Sequence, residues 1–194
     1  DSLGYCLVEP RKAKEKILQT LSYMYPDGRC PRQYNPYDNT LDARDFSDSP
    51  IWAADAVSSY MKETGDFDFF YEKTGFFGSE EQTSVEDHLF RALDYLYHSR
   101  GKNGLVLIRD GDWADGLGGI NKFGEDATSV WLTIAVFYAQ NVLKEIYGYL
   151  KDREKEALMA ERSEEYREIV NKVGWNGKWF TYGFFEDGEP IGSP

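Results

Sequence analysis

Residues 127–150 read ATSVWLTIAVFYAQNVLKEIYGYL, and this stretch decides the fold class. Apolar side chains fall on nearly every side of a 3.6-residue period, so the run reads as a long helix buried on several faces. The segment that follows, residues 151–173, is dense in charge and gains Tyr166, Ile169, Val170 and Val173 only toward its end, as an outer helix would. Upstream, three shorter amphipathic segments share this character. One starts at Pro10 and carries Ala13, Ile17, Leu21 and Met24 until Pro26-Asp27-Gly28. The second has Ser47, Asp48 and Ser49 as cap candidates before Pro50, then Ile51, Ala54, Val57 and Met61. The third opens at Thr83 or Ser84, with Thr83 and Glu86 spaced as a capping box, and buries Val85, Leu89, Ala92, Leu93 and Leu96. Strand signals are confined to loops: residues 104–108 are a short apolar run, and residues 179–185, bounded by Asn176-Gly177 and Asp187-Gly188, suit a hairpin. The pattern is all-α. Five helices paired into hairpins, with long loops gathered at one end, fit a bundle, a solenoid or an α/α toroid.

The chain of 194 residues is long enough for one domain with a sizeable core. Its 22 Lys plus Arg stand against 34 Asp plus Glu, a net charge of −12, and no basic stripe breaks the acidic balance. Nucleic acid is therefore not an expected partner. The longest mostly apolar stretch, from Val130 to Ala139, falls far short of the ~20 residues that span a bilayer, so no membrane is expected either. No export signal is legible, and the chain starts at Asp1 rather than Met, which reads as a piece of something longer. Cys6 and Cys30 lack the spacing of a zinc site or a disulfide framework and read as free thiols in a reducing cytoplasm. Aromatic residues make up 16% of the chain, many beside acids in loops. Most belong to the core, yet sugar faces are apolar and sugar rims are hydroxyls, so an acidic, aromatic cleft suits carbohydrate.

The segment with the clearest chemistry is Arg109-Asp110-Gly111-Asp112-Trp113-Ala114-Asp115-Gly116, followed by further glycines. Cleaving a glycosidic bond takes a carboxylic acid placed to protonate the leaving oxygen, with apolar surroundings or a second carboxylate raising its pKa. Three aspartates and a Trp supply those parts. The same spacing resembles part of a calcium loop, but no Glu stands near Ile120 or Phe123 to close it, so no metal is expected. On residue types alone, catalysis and structure weigh equally here.

The chain resembles the catalytic domain of glycoside hydrolase family 94, the cellobiose and chitobiose phosphorylases and their β-glucan relatives. Its Asp-Trp-Asn-Asp-Gly motif, preceded by Gly-Leu-x-Leu-Ile, is matched by residues 112–116 after residues 104–108. Its Ser-Asp-Asp-x-x-Trp is similar to residues 47–52, its Glu-Ser-Val-Trp-Leu to residues 128–132, and its Asp-Asp-Gly-x-Pro-Leu-Gly-Ser to the C-terminal residues 185–193. The resemblance implies that residues 1–194 are part of an (α/α)6 barrel truncated at both ends, in an inverting phosphorylase that yields α-glucose 1-phosphate from a β-linked glucoside or oligosaccharide. It implies Asp115 as general acid and Trp113 against the reacting sugar, with Asp112, Asp48 and Asp1 as further substrate-binding residues. No cofactor is implied, since inorganic phosphate is a co-substrate; the full-length protein is expected in the cytoplasm, as a homodimer. Ala114, Ser49 and Pro50 depart from the family pattern and leave acceptor preference unassigned.

The mechanism suits one acid. Phosphate is already a nucleophile at neutral pH, so the base of an inverting hydrolase is dispensable. Arg29, Arg32, Arg44 and Arg109 are loop cations available to phosphate, although for any one of them an ion pair at the surface is the plainer role. His88 reads as a partly buried helix residue and His98 as a partner of a helix C-terminus. An inverting hydrolase on the same fold and a non-catalytic glycan-binding helical domain are the alternatives.

Overall fold

A computed structural model describes residues 2–114 and 125–192. Among them are six α-helices and three small antiparallel sheets, and the chain divides into two compact units. The first unit takes Asp1–Arg44 and Ser49–Tyr95; the second takes Asp45–Asp48 and Leu96–Pro194.

In the first unit, helices α1 (Ser2–Val8), α2 (Pro10–Leu21) and α3 (Ser49–Thr64) pack on one another. The α2 stripe is buried as its spacing requires, with Ala13, Ile17 and Leu21 inside and Pro10 in the first turn, where its missing N–H costs nothing. Helix α1 has no counterpart in the sequence reading. Cys6 is its one buried side chain, so it carries no apolar stripe to find. Two hairpins follow, β1 (Tyr34–Asn35) with β2 (Thr40–Leu41), and β3 (Lys73–Gly75) with β4 (Gln82–Ser84). Of the two starts the sequence offers for helix α4 (Val85–His98), the structure takes Ser84, whose hydroxyl accepts the Asp87 N–H at 3.1 Å. His88 is wholly rather than partly buried. It stacks on Phe76 with ring centroids 4.0 Å apart, and its two ring nitrogens lie 2.9 Å from the carbonyl oxygens of Ser84 and Gly75. His98 is exposed in the last turn of α4.

In the second unit, α5 (Val130–Leu150) and α6 (Arg153–Ile169) form a helical hairpin, and a π-helical turn, Val170–Gly174, extends α6. The hairpin is capped at each end. Ser129 accepts the Leu132 N–H at 3.0 Å, Lys151 takes the left-handed conformation that stops α5, and Asp152 accepts the Lys155 N–H at 3.1 Å. Between the end of α4 and α6, Tyr97 donates to Glu165 at 2.6 Å while Arg100 pairs with the same carboxylate at 2.6 Å. The guanidinium groups of Arg100 and Arg162 lie 4.2 and 4.1 Å from the Tyr97 ring centre.

Strands β5 (Val106–Leu107), β6 (Thr128–Ser129), β7 (Gly183–Phe184) and β8 (Pro190–Ile191) make one antiparallel sheet in that order. The residue pattern predicts a strand within residues 104–108, where β5 lies, and a hairpin at residues 179–185. In the structure the hairpin is β7 with β8, and residues 128–129, read as the start of the long helix, pair with both β5 and β7 before α5 begins. Gly183 makes the pairing possible, since a Cβ there would sit 2.1 Å from the Thr128 carbonyl oxygen. Ile108, Ala127 and Ile191 form a small core against which Tyr182 and Phe185 pack.

Candidate active site

The tetrapeptide Asp45–Asp48 belongs to the second unit because it is hydrogen-bonded along the segment that follows β5. The Asp45 N–H donates to the Asp110 carboxylate at 2.7 Å, and the Asp110 N–H returns to the Asp45 carbonyl at 3.0 Å. Next, the Ser47 N–H donates to the Gly111 carbonyl at 3.0 Å, and the Ser47 hydroxyl reaches the Ile108 carbonyl at 3.3 Å. The Phe46 ring lies over Gly111 so closely that a Cβ would fall 2.4 Å from the ring, which is why glycine separates Asp110 from Asp112. Asp110 is thereby tied to the backbone of the 45–48 segment.

This arrangement brings Asp48 and Asp112 into one buried neighbourhood. Both are nearly inaccessible, at 8% and 2% exposure. One oxygen of Asp112, Oδ1, accepts the Ala114 N–H at 3.0 Å and also the Tyr182 phenol. The other, Oδ2, is buried without a hydrogen-bond partner among the described residues. Burial, the bond to Asp112 and the charge of Asp112 push the Tyr182 phenol far above its ordinary value, with Asp48 adding to the rise and the Ser129 hydroxyl opposing it. The phenol is therefore a permanent donor. By contrast Trp113, one residue along, is 64% exposed. The turn thus buries a carboxylate and shows an indole. Asp115 and Asp1 lie outside the described residues.

The sequence reading marks neither Tyr182 nor Ser129 as a site residue. Of the loop arginines, Arg29 pairs with Asp27 at 2.9 Å and Arg44 with Asp42 at 2.6 Å, the latter holding the Asp42 carboxyl below its usual range. Arg109 donates to the Ser99 hydroxyl at 3.2 Å, and Arg32 lines a groove of the first unit together with Thr20, Tyr34 and Trp52. Among the described residues no group of three or more His, Cys, Asp or Glu side chains could hold a metal ion, and no helix is long and apolar enough to cross a membrane.

The profile of the glycosyl hydrolase 94 superfamily catalytic domain matches residues 1–194. The chain belongs to this superfamily. Within it, the chain is 38% identical over 185 residues to solabiose phosphorylase of Paenibacillus borealis, a match spanning 95% of this chain and 23% of that protein. It is 30% identical over 203 residues to 3-O-β-D-glucopyranosyl-β-D-glucuronide phosphorylase of the same organism, spanning 100% of this chain and 25% of that protein. The chain therefore spans about a quarter of the length of these glycosyl hydrolase 94 relatives. Its fold is similar to the crystal structure of an uncharacterized conserved protein from Thermus thermophilus, with a TM-score of 0.69 at 15% identity, over 100% of this chain and 59% of that one.

Proposed function

We propose that the chain is part of an inverting glycoside phosphorylase that attacks a β-linked glucoside or oligosaccharide with inorganic phosphate and releases α-glucose 1-phosphate. The observation that carries this is the match of the whole chain to the superfamily, at 38% and 30% identity to two proteins named as phosphorylases. The helical hairpins belong, in this reading, to an (α/α)6 barrel completed by the rest of the protein.

Asp115 is the general acid in this reading. It protonates the glycosidic oxygen as the bond to the anomeric carbon breaks, while a phosphate oxygen attacks from the opposite face. Trp113, exposed on its turn, covers the apolar face of the reacting glucosyl unit. Asp1 joins Trp113 in the sugar-binding set, while Asp48 and Asp112, both buried, support that set from beneath rather than by touching the sugar. A hydrolase would need a second carboxylate free to activate water. Asp112 is poorly suited to that task, because it is buried and its Oδ1 already accepts two hydrogen bonds. The two buried cysteines and the use of phosphate fit a cytoplasmic enzyme that takes no organic cofactor.

The test is phosphate dependence in the full-length protein. With a panel of β-linked gluco-disaccharides, glucose 1-phosphate should form only when phosphate is present, and free glucose from the donor side should stay at background. Equal turnover without phosphate would make the protein a hydrolase, and absence of turnover on any β-glucoside, with glycan binding retained, would make it a binding domain.

A further inference from the structure

The Asp112-Trp113-Ala114 turn is closed from within by the bond from the Ala114 N–H to Asp112 Oδ1, and this bond needs the carboxylate to stay in one rotamer. The second donor to the same oxygen comes from 70 positions away, the Tyr182 phenol at the entrance to β7. Tyr182 is itself held. Its ring packs on the core of Ile108, Ala127 and Ile191, its N–H donates to the Ile191 carbonyl at 3.2 Å, and its carbonyl accepts the Val130 N–H at 2.8 Å. Val130 is the first residue of α5, directly after the capping Ser129. A chain of hydrogen bonds therefore runs from the first N–H of α5 through Tyr182 to Asp112.

We propose that Tyr182 is a positioning residue: by bonding Asp112 it sets the 112–114 turn and so holds Trp113 in the place where the sugar meets it. This deepens the phosphorylase reading and rests on it for the sugar. Two donors converge on one carboxylate oxygen while the other has no partner among the described residues, an arrangement that packing alone would not favour, because an unpaired buried oxygen is costly. It makes sense where the direction of the carboxylate matters more than its full satisfaction.

The test uses Tyr182→Phe in the full-length protein. This variant removes one oxygen and keeps the ring on Ile108 and Ile191; a thermal melt checks that it folds, and if it does not, Tyr182→Leu, which also lacks the hydroxyl and leaves Asp112 in place, is used in the same experiments. Amide exchange at Ala114 should quicken by roughly tenfold, as loss of a hydrogen bond to a charged group allows, while the helices exchange as before. Unchanged protection of Ala114 would overturn the proposal whether or not the protein has activity. In kinetics, kcat/KM for the glucoside should fall by roughly five- to tenfold with KM for phosphate within about twofold. A double-mutant cycle then separates positioning from general damage. On a Trp113→Ala background, Tyr182→Phe should cost less than about twofold, because the residue through which it acts is gone. Full additivity of the two substitutions would also overturn the proposal. Failure of the wild-type protein to use phosphate would count against the phosphorylase reading instead, and leaves the exchange result standing on its own.

Discussion

Replacing Asp115 by Asn in the full-length protein should lower kcat for an unactivated β-glucoside by roughly 100-fold or more, the range of general acid catalysis, with little change in substrate affinity. Asn occupies the same volume and can still hydrogen-bond the glycosidic oxygen, but it has no proton to give. The size of the loss should depend on the leaving group. In a 2,4-dinitrophenyl glucoside the leaving group departs as the stable dinitrophenolate and needs little protonation, so turnover of that substrate should be largely spared. Near-normal turnover of an ordinary disaccharide by this variant would remove Asp115 from the acid role. The same substitution at Asp112 should act differently, because Asp112 is buried and bonded to Tyr182 and to Ala114, and its Asn still offers an oxygen to both.

Trp113→Ala should have the second-largest effect, and a different signature. A side chain that is 64% exposed while the sugar is absent has most of its surface left to cover. Covering an aromatic side chain is worth about 1.5–3 kcal/mol, which corresponds to roughly 10- to 150-fold in affinity. Trp113 meets the sugar in both ground and transition states, so the loss should fall on KM for the glucoside more than on kcat, with KM for phosphate unchanged. Trp113→Phe should recover part of it. An unaltered KM would place the sugar elsewhere.

What can be read from the sequence follows the length of each signal. The α2, α3 and α4 stripes each repeat over three or four turns, so the period is unmistakable, and α5 declares itself by being apolar all round. Helix α1 is two turns with one buried residue, too little for a period to form. The strands of the second unit are two residues each, so the alternation that marks a strand has no room to repeat. Thr128 and Ser129 read as part of the helix because no Gly or Pro separates them from Val130; their pairing is set by β5 and β7, which lie roughly 20 to 60 positions away. The site divides in the same way. Asp112 and Trp113 are visible because they are neighbours in one motif, and Asp48 because a family motif contains it. Tyr182 is not, since its role depends on Gly183 letting β7 approach Thr128 and so bringing the phenol to Asp112. No spacing in the chain encodes that meeting.

Phosphorolysis through a single acid is tested most directly by the configuration of the first product. Full-length protein, a β-linked gluco-disaccharide and inorganic phosphate should be followed by proton NMR from the first minutes. The phosphate ester does not mutarotate, so its anomeric signal records the stereochemistry of the attack itself. Direct displacement through one acid predicts α-glucose 1-phosphate from the earliest spectrum. Accumulation of β-glucose 1-phosphate would mean retention through a covalent intermediate, and free glucose in place of the ester would mean attack by water; either result would rule out inverting phosphorolysis.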